Sequence, residues 1–241
     1  MNLPSSPVYD TMKDLPVHHR RSVYFDTLNF HIVLTDQPAL PDTFQRYICR
    51  TVESTSFAIH TMIVRGAPAI GVTGAYGMVL AAKESDTMAD LLRHKATLDA
   101  ARPTAVNLTW ATTRMFQFAK KYVKKLKKLK LVSDGDVVSP FKKLIPILLD
   151  EAERIANEDI EINLRMAKIG ATIVPTFVHR STNISHRCNT GSLATVDWGT
   201  LLLTFLLVLL LVFSLFLFLF HNNCTCVTSF KLNICVLYVL T

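Results

Sequence analysis

The chain has 241 residues, half of them apolar, with a net charge of +7, a pI near 9.2 and a mean hydropathy of +0.29. It is long enough for one large domain or two small ones. Its five cysteines, Cys49, Cys188, Cys224, Cys226 and Cys235, are odd in number and crowd towards the end, which excludes a disulfide framework. The excess charge sits mostly in residues 120–130, so it is no general argument for nucleic acid. The opening Met1-Asn2-Leu3-Pro4-Ser5-Ser6-Pro7 has no basic stretch followed by an apolar core, so no secretory signal is read and cytosolic synthesis is expected.

An irregular lead gives way to strands at Val23-Tyr24-Phe25 and Phe30-His31-Ile32-Val33-Leu34, which are aromatic or β-branched. Residues 35–41 then form a turn with two prolines, and Asp42 is placed to cap a short helix. Helical spacing runs from about Thr51 to Met62, with Val52, Phe57, Ala58 and Met62 available for one face.

The densest stretch follows: Arg65-Gly66-Ala67-Pro68-Ala69-Ile70-Gly71, continued by Gly74-Ala75-Tyr76-Gly77. Proline suits the first turn of a helix, because the amide it lacks would have no intrahelical partner there. Helix-start amides and the donor fork of Arg65 are suited to an anion such as phosphate. Glycines at three-residue spacing leave one helix face without bulk, so another backbone or a ligand can approach. The plainer reading is a small-residue packing helix with an incidental arginine.

That helix should reach about Lys83, with Asp86 or Thr87 capping the next one. A second motif, Ala101-Arg102-Pro103-Thr104-Ala105-Val106-Asn107-Leu108, places Arg102 in a short loop, extended because proline follows it, with Thr104 as N-cap of a further helix. Residues 120–131 alternate lysine pairs with Tyr122, Val123, Leu126 and Leu129. Such a basic amphipathic run could meet RNA or an anionic membrane, but it reads first as a solvated helix face. A long helix is expected from about Pro140 to Gly170, with Gly170 near its C-cap and at a domain boundary. Strand character is read over residues 172–178. Cys188-Asn189-Thr190-Gly191-Ser192-Leu193-Ala194-Thr195 then sets a cysteine after a strand and near a helix start, where a thiol is driven towards thiolate. The alternative is a small buried hydrophobe.

Residues 201–220 carry no charge and are almost wholly apolar. As a helix of about 1.5 Å per residue they would span roughly 30 Å, a bilayer core. Arg180 and Arg187 before the run, against Lys231 after it, would favour a cytosolic N-terminal side. A second reading is that this Leu-, Phe- and Val-rich tract, whose codons share a middle pyrimidine, is translated non-coding sequence. RNA reads across codon 200 distinguish the two. Asn223-Cys224-Thr225 is a formal glycosylation sequon, and His221, Cys224 and Cys226 are too sparse to read as a metal site.

The motifs from Arg65, from Ala101 and from Cys188 together resemble the methylthioribose-1-phosphate isomerases, which share a superfamily with the regulatory subunits of translation initiation factor 2B. Asp36, Gln37, Leu40 and Pro41 also resemble that family's pattern, although Thr35 stands where it has leucine. The resemblance covers about residues 30–200 and departs over residues 175–187, before Cys188. It implies an α+β architecture: a mainly helical N-terminal domain, residues 1–170, and the beginning of a Rossmann-like α/β domain, 171–200, followed by an apolar tail helix. It further implies an aldose–ketose isomerase of methionine salvage, cytoplasmic or nuclear, homodimeric and without a cofactor. Arg65, Gly66, Ala67 and Arg102 would contact the phosphorylated methylthiopentose, and Cys188 would be catalytic. The family's general-acid aspartate has no counterpart here, which implies a shortened and inactive or weak chain with a tail, 201–241, foreign to the fold. A non-catalytic subunit like the initiation-factor relatives, or a membrane protein anchored through 201–220, are the alternatives.

Overall fold

The computed structural model describes residues 9–10, 21–128, 140–173, 182–186, 191–199 and 232–236. A small antiparallel sheet comes first, from β1 (Tyr9–Asp10), β2 (Val23–Asp26), β3 (His31–Thr35) and β4 (Arg46–Cys49), in the order β1-β4-β3-β2. The β2–β3 turn is closed locally: Asp26 accepts from the Leu28 and Asn29 amides at 2.9 and 3.2 Å, and Phe30 takes φ 54°. Residues 41–45 are not helical as expected from Asp42; they lead into β4. The strand was obscured because its first residue is an arginine. Arg46 is nonetheless buried, donating to the Arg21 carbonyl at 3.0 Å and the Thr35 hydroxyl at 2.6 Å.

Five helices follow: α1 (Val52–His60), α2 (Ala67–Lys83), α3 (Met88–Ala101), α4 (Val106–Lys128) and α5 (Pro140–Ile173). α1 and α3 open with reciprocal capping boxes, Thr51 with Ser54 and Thr87 with Asp90. The inward face of α1 is Val52, Thr55, Ala58 and Ile59. α2 is the hub. Every residue from Ala69 to Ala82 is buried, and α1, α3, α4, α5 and the sheet all pack on it. A helix apolar all round can only be a core element. Leu108, Ala111, Met115, Ala119, Val123 and Leu126 form the inward stripe of α4, while Lys120, Lys121, Lys124 and Lys125 are exposed. Within the described residues the basic run is therefore a solvated face; Leu129 and beyond lie outside them.

Three further expectations are corrected. Thr104 does not cap α4, which begins at Val106; the preceding turn is closed by Ala105 N–H to Arg102 O at 3.0 Å. Gly170 is not a C-cap, because α5 continues to Ile173. Residues 172–173 are therefore helical rather than the start of a strand. Extending a helix adds one hydrogen bond per residue, whereas a strand needs a neighbour. The rest of that expected strand, residues 174–178, lies outside the described residues; a strand is present at β5 (Thr182–His186), two residues before Cys188, paired in parallel with β6 (Leu232–Val236). A mixed fold of helices with a small antiparallel sheet is what the described residues form. Among them no helix is long and apolar enough to cross a membrane. Residues 201–220, expected as an apolar helix, lie outside them, as do His221, Cys224 and Cys226.

Candidate active site

The three motifs, spread over more than a hundred residues of sequence, meet at the start of α2. Gly66 is its N-cap, with φ +85°, and Pro68 stands in the first turn. A side chain at Gly66 would overlap the backbone of Ala194. Both the conformation and the contact therefore require glycine. One turn further, a Cβ at Gly71 would lie 3.0 Å from the Asn107 carbonyl, so the second motif seats against the same end of α2. Gly74 and Gly77 face Leu108 at 2.5 Å and Leu98 at 3.1 Å by the same measure. Gly74 and Gly77 therefore serve helix packing, the plainer of the two readings, whereas Gly66 meets Ala194 and Gly71, although it packs on Asn107, also lines the neighbouring cleft.

Arg65 and Ala67 are exposed on this turn; the Arg65 Nε reaches the Met62 carbonyl at 3.4 Å, a weak tie. Arg102 ends α3 with φ −149° and ψ 86°, out of the helical region before Pro103 though short of the fully extended backbone expected, and is half-buried. Among the described residues neither guanidinium is paired with a carboxylate, so each can receive an anion. The amide of Ile70 is committed to the Gly66 carbonyl at 3.0 Å and is not a free donor. Those of Ala67 and Ala69 precede the first intrahelical acceptor.

Residues 191–199 form the facing wall. The helix start expected near Cys188 is, among them, one 3-10 turn, Ser192–Ala194. Cys188 itself lies outside the described residues. Cys49 is buried in β4 and its thiol is pushed far up by desolvation, so it is inert.

Side chains overlooked in the sequence hold this wall. Gln37 Nε2 donates to Leu193 O at 2.7 Å. Ser22 donates its amide to Val196 O at 2.9 Å and its hydroxyl to Thr195 O. Asp159 on α5 accepts from the Val196 amide at 2.9 Å. Only Gln37 left a trace, in the Asp36-Gln37 pair; Ser22 and Asp159 looked like ordinary polar residues. Beyond Asp159 a cleft of about 490 Å³ opens between α2, α4 and α5, lined by Pro68, Asn107, Trp110, Asp159, Asn163 and Met166 among others. No group of side chains that could hold a metal occurs among the described residues.

Residues 63–212 match the initiation factor 2 subunit family, and the chain belongs to that family. Within it, the chain is similar to methylthioribose-1-phosphate isomerase 2 of Pseudothermotoga lettingae, 43% identical over 175 residues that cover 71% of this chain and 45% of that protein. A methylthioribose-1-phosphate isomerase of Nitratidesulfovibrio vulgaris is 40% identical over 77% of this chain and 48% of its own length. Among solved structures, 5-methylthioribose 1-phosphate isomerase from Pyrococcus horikoshii matches with a TM-score of 0.61 and 30% identity, over 89% of this chain and 60% of that one. The delta subunit of translation initiation factor 2B from A. fulgidus matches with a TM-score of 0.62 and 30% identity, over 89% and 54%. The chain thus spans about half the length of the curated relatives it matches.

Proposed function

We propose that the chain belongs to the isomerase branch of its family and binds a phosphorylated methylthiopentose at the start of α2. The reaction is the interconversion of 5-methylthioribose 1-phosphate and 5-methylthioribulose 1-phosphate. The ring C1–O bond breaks, the hydrogen on carbon 2 moves to carbon 1, and the proton of the carbon-2 hydroxyl is balanced by one taken up on the released ring oxygen; the step is redox-neutral overall and calls for no cofactor. The observation that carries this reading is the convergence of the Gly66 turn, Asn107 and Ala194 on one helix end. The isomerase relatives support the same branch.

In this reading Arg65 and Arg102 supply the cationic donors, the Gly66–Ala67 backbone lets the phosphate approach, and Cys188 acts at the reacting carbons. A Rossmann-like second half and a homodimer would complete the site. Residues 1–241 offer no counterpart to the family's general acid, and acid–base assistance is typically worth about 10²–10⁴ in rate. The 241-residue polypeptide is therefore expected to turn over poorly by itself. Isothermal titration with 5-methylthioribose 1-phosphate tests the binding claim. Arg65→Ala and Arg102→Ala should each weaken binding by about 10- to 100-fold, the worth of a charge-assisted hydrogen bond.

The second reading is a non-catalytic subunit, favoured by the equally good structural match to the initiation-factor subunit. Absence of any binding by the unaltered chain would overturn the isomerase reading in its favour. Attachment to a membrane through 201–220 is a separate proposal, tested by carbonate extraction.

A further inference from the structure

We propose that Asp159 is a positioning residue that seats residues 191–199 against the Gly66 turn, with Asn163 orienting its carboxylate. The wall has almost no regular structure, so its buried amides and carbonyls must find partners on other elements. Of its cross-element anchors, Gln37 and Ser22 are neutral; Asp159 is the charged one. One Asp159 oxygen accepts from the Val196 amide at 2.9 Å. The other faces Asn163 Nδ2 at 3.1 Å, and the same Nδ2 donates to the Asp159 carbonyl at 2.8 Å. The carboxylate cannot rotate away without breaking a bond.

This arrangement is unfavourable for α5 alone. Burial raises the Asp159 carboxyl above its ordinary range, and the hydrogen bonds from Val196 and Asn163 oppose that only in part. Among the described residues no cation pairs with it. Asn163 leaves its own Oδ1 buried without a partner there. A helix gains nothing from a desolvated, cation-free carboxylate and an orphaned amide oxygen. A docked segment gains a charge-assisted bond of fixed direction. The tolerance is narrow, because Val196 lies two residues beyond Ala194, whose backbone already lies against Gly66. The proposal rests on the sugar-phosphate reading for its purpose, but its structural core is testable separately.

The test is amide hydrogen exchange on the full chain, read peptide by peptide, for Asp159→Ala, Asn163→Ala and Asp159→Asn. Asp159→Ala should speed exchange in residues 191–199 by about 10- to 100-fold while α2 and α4 keep their protection. Asn163→Ala, which leaves the carboxylate but frees it to rotate, should loosen the same segment to a smaller degree. Asp159→Asn retains an acceptor for Val196 and should recover most of the protection. Loosening confined to 191–199 in the Ala variants supports the assignment. Unchanged exchange there, or equal loosening of α5, overturns it and leaves Asp159 as part of the helix alone. Titration with 5-methylthioribose 1-phosphate is the second arm, where Asp159→Ala should weaken affinity more than Asp159→Asn does. If the unaltered chain binds no ligand, the functional reading fails while the exchange result still decides the role of Asp159.

Discussion

The helical body and the 191–199 wall are held by different forces. α2 is enclosed by the apolar faces of its neighbours, and its glycines let α3 and α4 come close. Such packing is dense and non-directional. The wall buries Ala194, Thr195 and Val196 but is placed by hydrogen bonds that Ser22 and Gln37 donate to it and one that Asp159 accepts from it. Hydrogen bonds specify direction and register, which burial alone does not. The body should therefore govern global stability, and the anchors should govern the geometry of the site.

The largest way to break this contrast is in the body. Leu98 is fully buried and its methyls face Gly77. Leu98→Ala should cost about 2–5 kcal/mol by cavity formation, seen as a lower calorimetric Tm. Next comes Gly66→Ala, which meets both a positive φ and the Ala194 backbone. The left-handed conformation alone costs about 1–2 kcal/mol, so the wall should be displaced while the helices persist. Exchange confined to 191–199, together with lost sugar-phosphate binding, would confirm this; wild-type exchange there would refute it. Gln37→Ala removes one neutral anchor and should cost about 1 kcal/mol, visible as modest loosening around Leu193.

The smallest effect is with pH. Arg114 holds the neighbouring carboxyl of Glu158 below its ordinary value of 4.5 through hydrogen bonds at 2.5 and 2.8 Å. A depressed value means that this tie is fully present above the unfolded value and lost as pH falls through the folded one. Asp159 is shifted the other way by burial: its contribution is full below the unfolded value and declines as pH rises through the raised one. The two effects oppose each other. Glu158→Gln should therefore remove acid loosening of the α4–α5 contact without altering 191–199, as measured by exchange at decreasing pH.

Much of the body was legible before the structure was known. A cap at Asp86 or Thr87, the helix from the Pro68 start to Lys83, and an apolar stripe on α4 follow from local chemistry; the structure gives the cap to Thr87, paired with Asp90. β4 was not legible, since Arg46 and Cys49 hide a strand whose polar head is neutralised only by Thr35 and the Arg21 carbonyl. Nor was the extension of α5 through Gly170.

The motif at Arg65 was rightly read as the start of a helix made of small residues, but the sequence could not assign its glycines. Gly71, Gly74 and Gly77 were as plausible a ligand surface as Gly66. Local composition by itself determined the main helical segments, the break from helix at Arg102 and the family membership of the motifs. Only the tertiary structure decided that three glycines admit neighbouring side chains and backbone while Gly66 admits Ala194, and that Ser22, Gln37 and Asp159 are anchors. The reason is physical: a cap or an amphipathic stripe involves residues three or four apart, whereas the bonds between Val196 and Asp159 and between Ser22 and Val196 join residues 37 and 174 positions apart, through contacts that no local pattern records.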